Sequence, residues 1–215
     1  MTKLVLHGYW RSTAVYRVRI GLHLKGLEFD QAPVDLSKGA QHAADYLKIA
    51  PQGLVPSLET EEGVLTQSVA ILEWLEERWP RPALLPASPG ERAIVRAMAQ
   101  IVACDIHPLN NLRVQTHLRE SLAATSEHLS VWTGRWIREG FAALETLIAR
   151  YGGDFAFGDR PSLADCMLIP QVYSARRFAT PLDDFPLIRV IDARVRSHPA
   201  FVAAAPEAQA DALPV

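Results

Sequence analysis

The chain has 215 residues, 49% of them apolar, enough for a packed core and for one large domain or two small ones at about 100–200 residues each, which excludes disorder as the main state. Its 22 Lys and Arg against 24 Asp and Glu leave a net charge of −2 with no block of like charge, so neither nucleic acid nor a membrane surface is an expected partner. No apolar run approaches the ~18 residues of a membrane span, and the opening segment meets polar and Gly positions too early for a signal peptide; a cytoplasmic protein is expected. Cys104 and Cys166 lie far apart, outside any Cys-x-x-Cys or zinc spacing, and the seven histidines include no His-x-x-x-His pair, so neither disulfide nor metal site is expected.

Residues 4–6 give a short strand signal, followed by Gly8, a polar turn and a helical pattern over 15–24 that stops at Gly26. Residues 29–34 predict a second strand, 40–49 a polar-faced helix, and 55–59 with 63–66 two short strands around an acidic turn. Ser68 opens a helix that carries Ile71, Leu72, Leu75 and Trp79 at core spacing and ends at Pro80. The order βαβαββα lets two helices cover one face of a four-stranded mixed sheet. Pro80, Pro82, Pro86, Pro89 and Gly90 then mark a linker. The expected division is a first domain over 1–82, a linker over 83–90 and a second domain over 91–215.

Beyond the linker strand signals nearly vanish. Ile94, Met98, Ile101 and Val102, then Ile137, Phe141, Leu144, Ile148 and Tyr151, recur at helical spacing and predict a bundle. Ser162 and Asp165 match a capping box, and the apolar run Cys166 to Pro170 predicts the buried central helix. The Ala-rich tail after Phe201 reads as loosely ordered.

Five places carry polar groups suited to chemistry. Arg11, Ser12 and Thr13 lie between the first strand and its helix, where free N–H groups and the dipole favour an anion and a hydroxyl can bind a thiolate; capping the helix is the plainer use of Ser12 or Thr13. In Gln52-Gly53-Leu54-Val55-Pro56 the proline heads a strand, and a cis Val55-Pro56 bond would turn the Val55 N–H and C=O outward to pair with a peptide; an ordinary turn proline is the alternative. Gln67 and Ser68 precede the third helix, with Ser68 a natural N-cap. The stretch Asp105 to Arg113 is the most polar part of a helical pattern; Pro108 should kink it, with His107 and Asn111 i,i+4 neighbours on one face. Arg176 and Arg177 end the buried helix, where cations complement the dipole or bind an anion.

Together these segments resemble the cytosolic glutathione transferases over nearly the whole chain, and most closely their zeta class. A zeta signature similar to Ser-Ser-Cys-x-Trp-Arg-Val-Arg-Ile is matched at Ser12, Arg17, Val18, Arg19 and Ile20, with Thr13 for the second serine, Tyr16 for tryptophan and Ala14 for cysteine. Residues 104–111 and 170–178 resemble bacterial isomerases of maleylacetoacetate and maleylpyruvate. The resemblance implies a thioredoxin-like βαβαββα domain followed by an all-helical one, glutathione as cofactor and a homodimer. It further implies that Gln67 and Ser68 bind the γ-glutamyl end and that Val55 pairs with the cysteinyl backbone. Gln41, Gln52, His107, Asn111 and Arg113 are further cofactor-binding candidates; Ser12, helped by Thr13, stabilises the thiolate, and Arg11 and Arg177 hold the carboxylates of a small keto diacid.

The implied reaction is cis–trans isomerisation of a conjugated double bond by reversible thiol addition, converting maleylacetoacetate to fumarylacetoacetate in tyrosine and homogentisate breakdown. Maleylpyruvate isomerisation, dehalogenation of α-halo acids, and a non-catalytic glutathione-transferase-like binding module are the alternatives. Survival of Ser12, Gln67 and Ser68 argues for catalysis.

Overall fold

The computed structural model describes residues 4–213; the first three positions of the opening segment and the last two of the tail lie outside the described residues. Two compact units result, one running through Leu84 and resuming at Val195, the other Leu85–Arg194.

The first unit is built from β1 (Leu4–Gly8), α1 (Thr13–Leu24), β2 (Phe29–Pro33), α2 (Ala44–Ile49), β3 (Ser57–Thr60), β4 (Gly63–Thr66) and α3 (Ser68–Arg78). The sheet order is β2-β1-β3-β4, with β1 parallel to β2 and the other two pairings antiparallel. Leu4 and Leu6 of β1 alternate into the core, and Val18, Ile20 and Leu22 of α1 and Ile71, Leu72 and Leu75 of α3 are buried as well. Gly21 tolerates the helix-propensity cost of ~1 kcal/mol because a Cβ there would lie 2.3 Å from Leu72 Cδ2. The register pairs His7 with Ser57 and Ser57 with Thr66. The end of β1, the start of β3 and the end of β4 therefore emerge at one edge of the sheet.

The helix expected over 40–49 is broken. A 3₁₀ turn at Ala40–His42 is followed by Ala43 in extended conformation, and α2 begins only at Ala44. The buried side chains here are Gln41 and Tyr46; five residues apart, they cannot share one face of a continuous helix, whose turn is 3.6 residues.

The second unit contains α4 (Pro89–Gln100), a π-helical turn (Ile101–Ile106), a 3₁₀ turn (Pro108–Asn110), α5 (Leu112–Leu122), α6 (Ser126–Tyr151), α7 (Leu163–Arg177) and most of α8 (Pro186–Val195). Its core joins Val95, Met98, Val102 and Ile106 to Ile137 and Phe141 of α6 and to α7, which is buried along nearly its whole length. Gly140 lets Ile106 pack against α6, since a Cβ would meet Ile106 Cδ1 at 2.3 Å. At the start of α7 the Asp165 carboxylate accepts hydrogen bonds from Ser162 N and Oγ and from Ala156 N, each 2.8 Å long. Burial outweighs these donors and pushes the Asp165 carboxyl up to about 6.

Two expectations are corrected at the C-terminus. The stretch from Val195 onward belongs to the first unit and not to the helical one, and the described residues after Phe201 complete α9 and add a 3₁₀ turn at Pro206–Ala208. Phe201 and Ala204 are buried in α9 (Pro199–Ala204), which packs on α1. An Ala-rich composition reads as featureless, but small side chains are what allow one helix to approach another closely.

Candidate active site

Site geometry starts at the end of β1. Gly8 allows α1 to fold back on the strand, for a Cβ there would come within 2.5 Å of Val15 Cγ1. Tyr9-Trp10-Arg11-Ser12 then forms a tight turn closed by Ser12 N–H donating to Tyr9 C=O at 3.0 Å. Ser12 is the N-cap of α1, with φ −70° and ψ 121°, and its Oγ accepts from Val15 N at 3.4 Å. Capping uses an acceptor lone pair and leaves the O–H available as a donor. Thr13 is the buried first residue of the helix, and no Asp or Glu occupies the first turn, so the positive dipole end meets no carboxylate of its own helix there. Arg11 lies with its guanidinium carbon 5.5 Å from the Trp10 ring centroid, and its buried Nε has no hydrogen-bond partner among the described residues.

Two further loops reach the same edge of the sheet. The Val55-Pro56 bond is cis. Tyr46 fixes the segment by donating its hydroxyl to Leu54 C=O at 2.8 Å. After β4, Gln67 takes φ 69°, a left-handed conformation costly for a residue with a Cβ, and its Nε2 donates to Gln52 Oε1 at 2.6 Å. Gln41 is buried, its Oε1 with no hydrogen-bond partner among the described residues, and its carbonyl lies 3.1 Å from where a Cβ on Gly53 would stand. Ser12, Gln52, Val55 and Gln67 in connecting segments, Gln41 in a 3₁₀ turn and Ser68 at the first position of α3 thus belong to the same unit.

Ser68 differs from its expected part as a cap. The N-cap of α3 is Gln67, and Ser68 is the first helical residue. Its Oγ accepts instead from Nη1 of Arg17 at 3.3 Å. Arg17 is wholly buried in α1, its Nε and Nη2 have no hydrogen-bond partner among the described residues, and desolvation lowers it to about 9. It remains a cation at neutral pH. Sequence reading passed over Arg17 as part of a signature; the available signal was a cation spaced inside an otherwise apolar helix.

In the second unit the kinked-helix expectation fails. After the π turn and the 3₁₀ turn, Asn111 is extended and caps α5, its Oδ1 accepting from Arg113 N at 3.1 Å. His107 and Asn111 are therefore not i,i+4 neighbours on one helical face. Proline cannot donate to the preceding turn, and Asn111 offers the chain a cap at which to restart. Arg113 is exposed on the first turn of α5. At the end of α7, Arg176 makes a two-pronged ion pair with buried Asp192, whereas Arg177 is exposed and lies 4.7 Å from the Phe178 ring centroid.

A mixed four-stranded sheet of order β2-β1-β3-β4, a cis proline heading β3 and an all-helical second unit define a thioredoxin-like domain coupled to a helical domain. The description "Glutathione S-transferase, N-terminal domain" matches residues 11–78 and "Glutathione S-transferase, C-terminal domain" residues 113–196. The chain belongs to the glutathione S-transferase family, and within it to the zeta class.

Among relatives, a maleylpyruvate isomerase of Ralstonia sp is 49% identical over 96% of this chain and 98% of its own. A maleylacetoacetate isomerase of Pseudomonas aeruginosa is 48% identical over 96% of this chain and 97% of its own. The holo structure of a maleylpyruvate isomerase, described as a bacterial zeta-class glutathione S-transferase, superposes with a TM-score of 0.95 at 47% identity, covering 97% of this chain and all of that one (100%). A maleylacetoacetate isomerase of Methylobacterium extorquens AM1 with bound malonate and glutathione superposes at 0.93 with 38% identity, covering 98% of this chain and 100% of that one.

Proposed function

We propose that this protein is a glutathione-dependent cis–trans isomerase of maleyl keto diacids, with maleylacetoacetate as substrate and fumarylacetoacetate as product. The observation that carries this reading is Ser12 at the N-cap of α1, with an O–H to donate and no acidic residue in the first turn. When bound, glutathione supplies a thiol whose reversible addition to the double bond permits rotation. Ser12 and the α1 N-terminus favour the thiolate form, Thr13 supporting them. The Val55 backbone pairs with the peptide, and Gln67, Ser68, Gln52 and Gln41 hold its polar ends.

Residues of the first unit fit such a ligand on physical grounds. Arg17 Nε and Nη2 and Gln41 Oε1 are buried polar atoms with no hydrogen-bond partner among the described residues, costly to leave unmatched and complementary to the charges and amides of a zwitterionic peptide. Arg11 offers a planar donor set to a substrate carboxylate or to charge developing on the enolate oxygen. Arg177 is assigned a carboxylate of the substrate, and His107, Asn111 and Arg113 are assigned to glutathione; support for these four is the family resemblance. A cytoplasmic homodimer is part of the same proposal.

Maleylpyruvate is the second reading, favoured by one observation: the Ralstonia maleylpyruvate isomerase and the P. aeruginosa maleylacetoacetate isomerase are almost equally similar to this chain, at 49% and 48% identity. Rates on the two maleyl substrates, each measured with glutathione and after its removal by dialysis, test the proposal. Faster turnover of maleylacetoacetate, lost without glutathione, is expected. Turnover that survives removal of glutathione overturns the thiol mechanism.

A further inference from the structure

The turn that presents Ser12 is held by a part of the chain about two hundred residues away. Trp10 occupies the corner of the Tyr9–Ser12 turn, and both of its peptide groups are engaged. Its N–H donates to Asp211 Oδ2 at 3.2 Å, and its C=O accepts from Arg19 Nη2 at 2.9 Å. Arg19 is fully buried and uses Nε to bind Ala204 C=O, also at 2.9 Å, at the end of α9. One guanidinium thus ties the corner of the turn to the C-terminal segment, and the Asp211 carboxylate closes the same link from the other side.

The segment that delivers Asp211 is itself anchored. Phe201, Ala204 and Pro206 are buried. The Gln209 Nε2 donates to Ala203 C=O at 2.9 Å and to Ala205 C=O at 2.6 Å, while its Oε1 accepts from Gln31 Nε2 of β2 at 2.8 Å. Ala212 N–H returns to Gln209 C=O at 3.0 Å. Asp211 therefore sits on a short, cross-braced stretch and not on a free end. A hydrogen bond to a braced acceptor restrains the peptide it holds more firmly than solvent does.

We infer that the C-terminal segment is a strap for the thiolate-binding turn, and that Asp211 and Arg19 are positioning residues which set Ser12 by fixing both peptide groups of Trp10. This rests on the reading of that turn as the thiolate site and deepens it. Neither residue touches a reacting atom. Their effect runs through the placement of the Ser12 hydroxyl, where small displacements weaken a hydrogen bond steeply.

The test compares Asp211→Ala, which removes the acceptor and the charge, with Asp211→Asn, which keeps an oxygen acceptor for Trp10 N–H and removes only the charge. Hydrogen exchange of the peptide covering residues 9–12 is followed in protein free of ligand, and the thiolate absorbance of bound glutathione is titrated against pH. Asp211→Ala is expected to speed exchange at Trp10 about tenfold, to raise the bound thiol's pKa by about half a unit, and to lower kcat more than it changes KM. Asp211→Asn is expected to follow the wild type in all three. Identical behaviour of the two variants would assign the effect to charge and overturn the strap. A lowered melting temperature with unchanged exchange and unchanged thiol titration would likewise overturn it. If the wild type itself shows no depressed thiol pKa, the thiolate-site reading fails, while the exchange result still decides whether the strap holds the turn.

Discussion

Nη1 of Arg17 donates to Ser68 Oγ across 3.3 Å, joining the middle of α1 to the first residue of α3 in a fully buried setting. The other two nitrogens of that guanidinium hydrogen-bond no described residue. A buried cation of this kind is stable only where an anion or strong acceptors complete it. Arg17→Met is expected to weaken glutathione binding at least about tenfold, or about 1.4 kcal/mol, with Arg17→Lys intermediate because it keeps charge without the fork. Titration calorimetry measures this; wild-type affinity in Arg17→Met would refute it.

Ser12 carries two loads, a cap on α1 and the proposed donor to a thiolate. Ser12→Ala should lower the melting temperature through the lost cap, about 1 kcal/mol. It should also move the acidic limb of the pH–rate profile toward alkaline pH by about one unit and reduce kcat about 10–100-fold at neutral pH. Ser12→Thr preserves the hydroxyl and should recover most of both. A Ser12→Ala enzyme with an unmoved pH profile would leave Ser12 a cap alone.

Arg176 and Arg177 are adjacent in sequence and separated by their partners. Arg176→Ala removes the two-pronged ion pair to the buried Asp192 carboxylate and is expected to cost about 1–3 kcal/mol in chemical denaturation, with little change in KM for the diacid. Arg177→Ala should do the reverse, raising that KM about 10–100-fold with the denaturation midpoint nearly unchanged. Steady-state kinetics and urea melts on both variants decide, and equal effects would contradict the division.

Asp165 gives a pH signature. Its carboxyl is raised by burial to about 6 in the folded protein against about 3.9 unfolded. Between those values the folded chain holds a proton that the unfolded chain has released, so this group's contribution to stability falls as pH rises from about 4 to 6 and is flat above. Asp165→Asn removes that slope. Urea midpoints at several pH values across the window, wild type against variant, are the measurement; parallel curves would show that Asp165 titrates at its ordinary value when folded.

The sequence alone identified most elements because their signals are local. Gly26 ends α1, the apolar positions of α3 repeat at helical spacing, and Ser162 with Asp165 announces α7. It failed where two local rules competed. Gln41 and Tyr46 could not both be buried by a single helix, so the 40–49 segment broke. Pro108 and Asn111 ended one helix and began another instead of bending one.

What the residues determined by themselves was the set of candidate groups and the order of strands and helices, since periodicity, capping and turn chemistry act over a few residues. What only tertiary structure decided was which groups meet: Arg17 with Ser68, Arg176 with Asp192, and Trp10 with Asp211. Those pairings join positions 51, 16 and 201 residues apart. Hydrogen bonds and ion pairs act at about 3 Å, and no local rule brings such partners together; that is done by burial of apolar faces across the whole unit.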